Sequence, residues 1–472
     1  MSRTDWSVTA RATALLASPR LRARFGFALF VLATAYAVAP LRQQLRYWND
    51  FAFAYTAGLA WLHGASPYDV LRWHQEWVAI KPAFSAVVPS QPFLYPPSFA
   101  LIAVPVALLP WLVAARLWDV VNVLAFAGLC VFSVRMLPAA PGEAGEAREL
   151  RQGSRQVPWL FLALAALLGA LRWALSESQL VGVPALAIVA AFWAWHARRP
   201  GLLAVFAFVA ALKPHVALLP LAYLFLNGGA VAIALAAAAA VLVGVLAMLP
   251  SGLSALPGHV ADAYAKHMAI GFNGLDQFTS ASALFATHDP QRVLFTLCPL
   301  LGLCVVAWLS VLRRSGPRSA DDPLFQPLWQ LSVVVAASAA FVPLHAYDLI
   351  TYIPLVILAS TIRPRLLAAA VVVSAHLACR GAALGTRLQL QVVTPYLTLA
   401  VLTLTVLALQ HARPPRAAPA WGGAPTNSLR RGGAAKAGVP PREQAPLWRL
   451  SRRARPGDRR RSPRGVCASA GP

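Results

Sequence analysis

Residues 46–55 read RYWNDFAFAY and open a long segment that follows the first apolar run directly and reaches Pro97 before another begins. The apolar residues between positions 51 and 62 recur at helical spacing, which predicts a helix lying in the membrane interface. Asp50 stands at the start of this helix, two residues after Trp48. In so apolar a chain, a carboxylate at the water edge is either a helix cap and interface anchor or a reacting group.

The composition predicts an all-α polytopic membrane protein. The chain has 472 residues, of which 58% are hydrophobic and 12% charged, and its mean hydropathy is +0.59. A soluble domain of this length is less apolar. The first apolar span has no small-residue cleavage site, so we expect it to stay in the membrane as a start-transfer helix. The five cysteines show neither disulfide nor metal spacing, and no carboxylate cluster requires a divalent ion.

The net charge of +24 does not indicate a nucleic-acid partner, because half of it lies in the C-terminal tail. Residues 412–472 contain fourteen Lys or Arg and two acids among Pro, Gly and Ala, which predicts a disordered basic cytoplasmic tail. The other basic residues cluster at the N-terminus, 1–25, and in short loops. The positive-inside rule therefore predicts that both termini of this bacterial-type inner (plasma) membrane protein lie in the cytoplasm.

We predict about twelve transmembrane helices within a membrane domain at 26–411. Their predicted spans are 26–41, 117–137, 158–173, 180–197, 200–213, 215–227, 229–249, 291–312, 324–343, 347–361, 365–379 and 391–411. The apolar run Ser98–Leu109 is not counted, because twelve residues make a helix of about 18 Å, short of the ~30 Å membrane core. We interpret it as re-entrant, inside a first outward loop at 42–116. The loop at 138–157 is then cytoplasmic, and a second outward loop covers 250–290.

Several ionisable residues fall at the outward ends of these spans. Lys213 lies between two apolar spans and is a functional candidate by default, although snorkelling to the interface is the alternative. The segment 345–348, HAYD, is a second concentration of ionisable residues at the end of a span. The alternative interpretation of this segment is an aromatic interface turn in which Asp348 has its hydrogen bonds satisfied. Asp119, three residues after Arg116, is best explained by an i,i+3 ion pair.

One early carboxylate opposite several cations favours transfer of a sugar from a lipid phosphate. A single general base can deprotonate an acceptor hydroxyl, and an anionic phosphate leaving group needs cations rather than a protonated acid. A hydrolase would instead need two carboxylates that flank the bond. A transporter or lipid flippase is the alternative class, with internal repeats and ionisable residues near mid-span. A non-catalytic assembly factor is a third interpretation, in which Asp50 and the cations do not share a cavity.

Residues 40–360 resemble glycosyltransferase family 87. The resemblance rests on Asp50, the Gly64-x-x-Pro67-Tyr68 turn, Tyr95-Pro96-Pro97, Leu212-Lys213-Pro214 and the segment Pro343–Pro354. It implies a GT-C-type fold and a mannosyltransferase-like, inverting transfer at the outer membrane face. Where many members read Gly-Gln-x-Asn, this chain has Glu177-Ser178-Gln179-Leu180, which keeps the Gln alone of the three.

From the residues and the resemblance together we expect Asp50 to be the general base. The donor phosphate and sugar are expected to contact Lys213, His215, His345, Tyr347, Asp348, Gln179 and Tyr95. The expected partners are membrane lipid, a polyprenyl-phosphate sugar as donor substrate and a lipid or glycan acceptor, with no nucleic acid. No cofactor or metal is expected, and the chain is expected to be a monomer.

Overall fold

A computed structural model describes residues 19–42, 49–80, 93–137, 158–268, 279–280, 297–315, 322–380 and 393–412. All regular structure in these ranges is helical, without a β-strand, which confirms the predicted all-α class. Helices suit an apolar chain because they satisfy every backbone polar group within one segment. The predicted cytoplasmic loop at 138–157, residues 1–18 of the N-terminal segment and residues 413–472 of the C-terminal tail lie outside the described residues.

Seventeen α-helices occur in the described ranges. The first eight are α1 Pro19–Val38, α2 Asn49–Leu62, α3 Val70–Ile80, α4 Ala100–Ala107, α5 Trp111–Arg135, α6 Trp159–Ala166, α7 Gly169–Ser176 and α8 Gly182–His196. The others are α9 Pro200–Ala211, α10 Pro214–Leu224, α11 Ala230–Met248, α12 Leu256–Met268, α13 Cys298–Ser315, α14 Pro327–Phe341, α15 Ile353–Leu358, α16 Arg365–Ala378 and α17 Val393–Ala412.

Several of these helices suit a membrane. Within the described residues, five helical stretches are long and apolar enough to cross it, or six if the pair α6–α7, bent by 49°, is one span. One of the five is Pro214–Met248, which joins α10 and α11 and covers both predicted crossings 215–227 and 229–249. Five of the twelve predicted crossings coincide with shorter apolar helices, so twelve spans remain a prediction. The polytopic membrane class is supported.

Helices α10 and α11 are joined by an irregular turn at Phe225–Gly229. Asn227 and Gly228 leave helical geometry there, and Gly228 has a φ of +99°, a conformation that glycine adopts without a steric penalty. Asn227 accepts a hydrogen bond from Arg313 Nη1 at 3.1 Å. Lys213 immediately precedes α10 and Arg313 contacts the turn after it, so these two cations lie at opposite ends of one helix.

The segment predicted as the first outward loop packs as a second core beside the main helix bundle. Aromatic side chains from α2, α3 and residues 93–99 fill it, including Phe53 stacked on both Trp73 and Trp77 at 5.8 and 5.1 Å. Helix α4 packs tightly on α2, because a Cβ built at Gly58 would lie 2.2 Å from the Ala103 carbonyl oxygen. The helix predicted between positions 51 and 62 is present as α2, while its location in the membrane interface stays a prediction. This packing fixes the orientation of the first turn of α2, which carries Asp50.

Candidate functional site

A buried ion pair joins the two halves of the chain. Lys213 Nζ lies 2.6 Å from Asp348 Oδ1, and the two side chains are 3% and 0% exposed. Lys213 precedes Pro214, the first residue of α10, and Asp348 lies in a 3₁₀ helix, Ala346–Tyr352, that leads into α15. The alternative that Lys213 snorkels to the interface is therefore wrong, because its ammonium is enclosed and paired.

Asp348 organises the groups around it through both oxygens. His215 Nε2 lies 3.6 Å from Oδ2, and the backbone N–H of His345 donates to the same oxygen at 3.1 Å. The backbone N–H of Asp348 in turn donates to the His345 carbonyl oxygen at 2.9 Å, so the two residues hold each other at the start of the 3₁₀ helix. Asp348 is thus a carboxylate with satisfied hydrogen bonds, as the interpretation of the HAYD segment as an interface turn expects. It also brings Lys213, His215 and His345 together around its two oxygens.

Tyr347 is held between cationic and aromatic neighbours. Its ring lies 5.2 Å from the His345 ring in a stacked arrangement, and Lys213 Nζ lies 4.8 Å from its centroid. Trp173 of α7 contacts it edge to face at 6.3 Å. These contacts bring the HAYD segment and α10 together although more than 100 residues separate them along the chain.

These groups form the polar end of a cavity of about 710 Å³. Tyr95, Lys213, His215, His345 and Tyr347 line this end. The remaining wall is apolar and includes Leu218, Val260, Tyr264 and Val342, of which Val260 and Tyr264 belong to α12. Five of the seven residues expected to contact the donor therefore line one cavity, whereas Gln179 and Asp348 are buried and do not line it.

Asp50 lies beside this cluster, at the start of α2, and remains half-buried. Burial raises the pKa of its carboxyl to about 7, the Lys213 ammonium lowers it, and Glu177 and Asp348 raise it further. The electrostatic interactions of Asp50 with Lys213 and Asp348 indicate that it lies near their ion pair. Asp50 itself does not line the cavity, so the assembly-factor interpretation, in which the acid and the cations do not share a cavity, stays an alternative. No described residue donates a hydrogen bond to the Asp50 carboxylate, so its lone pairs are not committed within the described fold.

Tyr95 reaches the cavity from the apolar loop before α4. The hydroxyl of Tyr68 donates to the Tyr95 carbonyl, which ties this loop to the turn before α3. Burial, together with Asp50 and Asp348, raises the pKa of the Tyr95 phenol well above its usual value. The phenol therefore keeps its proton and can donate a hydrogen bond to a ligand oxygen.

Gln179 lies in a turn that follows α7. It is 2% exposed, and its Oε1 has no hydrogen-bond partner among the described atoms. Ser178, just before it, has a φ of +49°, in the left-handed region that favours glycine. This serine stands where the resembled pattern has Gly, so the backbone of the turn explains that preference. The sequence did not single out Ser178, and only its place before Gln179 could have done so.

The ion pair predicted between Arg116 and Asp119 is confirmed. Arg116 Nη1 lies 3.4 Å from Asp119 Oδ2, and Asp119 Oδ1 also accepts from the Ser178 hydroxyl at 3.2 Å. Arg172, another of the outward cations, lies over the Tyr36 ring at 4.3 Å instead of lining the cavity. Within the described ranges no group of three His, Cys, Asp or Glu side chains could hold a metal ion.

The arrangement combines a proton acceptor, a cationic cluster and an apolar wall. Lys213 is already paired with Asp348, so its charge is largely neutralised before any ligand arrives. His215 and His345 place two imidazole rings at the cavity, where their ring N–H groups can donate hydrogen bonds to an anionic ligand. Such a site suits an amphipathic anion that carries a polar reacting group.

Comparison with known proteins gives one match. The model of glycosyltransferase family 87 matches residues 93–338, just over half of the chain. Tyr95, Gln179, Lys213 and His215 fall inside the matched range, which begins after Asp50 and ends before the HAYD segment. No curated protein and no solved structure matches the chain.

Proposed function

Because the chain belongs to glycosyltransferase family 87, we propose that it moves a sugar from a polyprenyl-phosphate donor to a hydroxyl group of a lipid or glycan acceptor. The transferred sugar is a mannose-like hexose or a pentose. The reaction takes place at the outer face of the plasma membrane and inverts the anomeric carbon. The polyprenyl-phosphate sugar is a substrate, and the reaction uses no cofactor.

The cavity is the observation that carries this proposal. One end presents two histidines, Lys213 and two tyrosines, and the rest of the wall is mostly apolar. A polyprenyl phosphate has the same division into an anionic head and a hydrocarbon chain. His215 lies in the first turn of α10, where the helix dipole also favours an anion. The volume of the cavity, about 710 Å³, is within the usual range for small-molecule sites.

Asp50 acts as the general base in this proposal. Its carboxylate takes the proton of the acceptor hydroxyl, whose oxygen then forms a bond to the anomeric carbon. The bond between that carbon and the phosphate oxygen breaks, and its electron pair leaves with the phosphate. Attack from the face opposite to the phosphate inverts the anomeric centre. The raised pKa of Asp50, about 7, makes it a stronger base than an ordinary aspartate.

His215 and His345 stabilise the departing phosphate. The phosphate gains negative charge as the bond to the sugar breaks, so preorganised cations bind this state more tightly than the intact donor. The Asp348 carboxylate orients both histidines. It contacts the His215 side chain and accepts a hydrogen bond from the backbone N–H of His345. Tyr95 adds a neutral hydroxyl donor. A transporter is less well supported, because the described charges meet at helix ends, whereas a transport path would need them near mid-span.

Sugar transfer by the purified protein tests the proposal. Wild-type protein in lipid nanodiscs, given radiolabelled polyprenyl-phosphate mannose and an extract of membrane glycolipids, should form a labelled product. The Asp50→Asn protein should be slower by about 10²–10⁴-fold, the usual effect of losing a general base. Asp69→Asn is the matched control, because this half-buried aspartate caps α3 and does not line the cavity. Equal rates for wild type and Asp50→Asn would refute the assignment of the base.

The sugar and the acceptor can be identified in cells. Mass spectrometry of cell-envelope glycans and lipid-linked sugars, with and without the gene, should show loss of one glycosylated product and accumulation of its acceptor. An unchanged glycan profile together with a changed distribution of a solute or lipid across the membrane would favour a transporter or flippase.

A further inference from the structure

The turn after α7 closes the helix with a left-handed serine. The N–H of Gln179 donates to Ala174 O at 2.8 Å, and that of Ser178 donates to Leu175 O at 3.3 Å. These two bonds form a Schellman motif, in which the residue with positive φ is usually glycine. A residue that carries a Cβ is strained in this conformation, in which Ser178 has a φ of +49°. Another interaction must therefore hold Ser178 in place.

The Ser178 hydroxyl supplies that interaction. It donates to Asp119 Oδ1 at 3.2 Å, and both residues are buried. Arg116 Nη1 lies 3.4 Å from Asp119 Oδ2 and also donates to Leu41 O at 3.1 Å. Arg116 therefore links Asp119 to the residues that follow α1. The turn is thus fastened to α5 and to the end of the first apolar span. Alanine at position 178 would keep the backbone penalty and lose the hydroxyl that offsets it.

The same turn holds the backbone of Asp50. The carbonyl of Glu177, the last residue before Ser178, accepts from the Asp50 backbone N–H at 3.3 Å. Backbone N–H groups in the first turn of a helix and carbonyl groups at its end lack partners within that helix. Here the Asp50 N–H of α2 and the Glu177 carbonyl at the end of α7 satisfy each other. A shift of the Glu177 carbonyl therefore moves the first turn of α2 and, with it, the Asp50 carboxylate.

We propose that Ser178 and Asp119 are positioning residues for the Asp50 carboxylate, acting through the turn that presents the Glu177 carbonyl to the start of α2. The proposal rests on the proposed function, because it treats Asp50 as the base. Neither residue lines the cavity. Their substitution should therefore affect the chemical step and leave the affinity for the donor nearly unchanged.

The test compares Ser178→Ala, Ser178→Gly and Ser176→Ala in the nanodisc assay. Ser178→Ala should lower kcat about ten-fold, since loss of one buried hydrogen bond to a charged group is worth about 1.5 kcal/mol. Its KM for the donor should stay within about two-fold, because the cavity is intact. Ser178→Gly should retain most of kcat, because glycine holds the left-handed turn without strain. Ser176→Ala is the matched control, since the Ser176 hydroxyl bonds only Trp173 O within its own helix.

The pH profile separates positioning from general destabilisation. Asp50 is surrounded by Lys213, Glu177, Asp348, Tyr95 and Tyr347. If its carboxylate moves relative to these groups, the acid limb of the kcat profile should shift in Ser178→Ala and stay in place in Ser176→Ala. A purely structural loss would reduce the amount of active protein without moving the midpoint.

Each outcome decides one question. Wild-type kcat and an unshifted profile in Ser178→Ala would overturn the positioning role, and so would an equal loss in Ser176→Ala. If Ser178→Ala does not fold, Asp119→Asn replaces it, because asparagine keeps the size but weakens the bond to Ser178; an unchanged kcat there would also overturn the role. Absence of transfer by the wild-type protein would instead refute the proposed function.

Discussion

The buried pair between Lys213 and Asp348 gives the sharpest stability prediction. Asp348→Asn replaces a carboxylate by an amide of the same size, so packing is nearly unchanged. Lys213, whose side chain is 3% exposed, would then keep its charge without the partner now 2.6 Å away. Removing one member of a buried pair typically costs about 3–5 kcal/mol, because it leaves an uncompensated charge.

The amide also weakens the start of the 3₁₀ helix. Asp348 Oδ2 accepts the His345 backbone N–H at 3.1 Å, and a neutral oxygen accepts less strongly than a carboxylate. The loss of one such bond is worth about 1 kcal/mol. We therefore expect Asp348→Asn to lower the free energy of unfolding by about 4–6 kcal/mol, of which the larger part comes from the unpaired lysine.

Unfolding of the purified protein in mixed micelles, followed by the loss of helical circular dichroism as SDS is added, measures this change. The double variant Lys213→Met, Asp348→Leu removes both charges and should recover most of the stability, while sugar transfer should remain low because His215 and His345 lose their anchor. Asp69→Asn is the control, since Asn caps a helix as well as Asp does.

Two results would refute the reasoning. Asp348→Asn with the stability of the wild type would mean that Lys213 is not buried as a charged group. A double variant as unstable as the single one would mean that the carboxylate acts through its packing and capping bonds rather than through Lys213.

Further predictions concern the base, the donor site, the loop packing and the topology. Transfer measured as kcat/KM should rise with pH through about 7, because burial raises the pKa of Asp50 and only the ionised carboxylate takes a proton; a flat profile between pH 5 and 8 would contradict this. The same raised pKa makes the folded state bind the proton more tightly, so stability should fall as pH rises from the ordinary value of 3.8 to about 7, and Asp50→Asn should abolish that slope. His345→Ala should raise the donor KM about ten-fold, and an unchanged KM would exclude His345 from the donor site. Gly58→Leu should destabilise the protein by several kcal/mol, because its side chain meets the Ala103 backbone, whereas Gly201→Ala, which meets nothing within 4 Å, should be tolerated. Cysteines introduced by Ser85→Cys and Ser319→Cys, at positions outside the described residues, should label from opposite sides of the membrane, and labelling from one side would overturn the re-entrant interpretation of Ser98–Leu109.

The candidate site was predictable where one residue type was out of place in its local sequence. Lys213 stood out because a lysine between apolar spans is costly, and the HAYD segment stood out because it concentrates polar groups at the end of a span. Whether Lys213 snorkels or pairs could not be predicted, since its partner lies 135 residues away along the chain. Ser178 was missed because a serine in a polar turn looks ordinary until its backbone angles are known.

The sequence by itself determined the class of this protein and the residues that could react. Its apolar runs must form helices, because hydrocarbon offers no partner for backbone groups, and its rare charges stand out against them. Only the tertiary structure decided which charges meet. It enclosed Lys213 with Asp348, left His215 and His345 at the cavity, and used the Glu177 carbonyl to hold Asp50. The physical reason is range: helix formation follows from neighbouring residues, whereas burial, pairing and the pKa of a carboxylate depend on groups that only folding brings together.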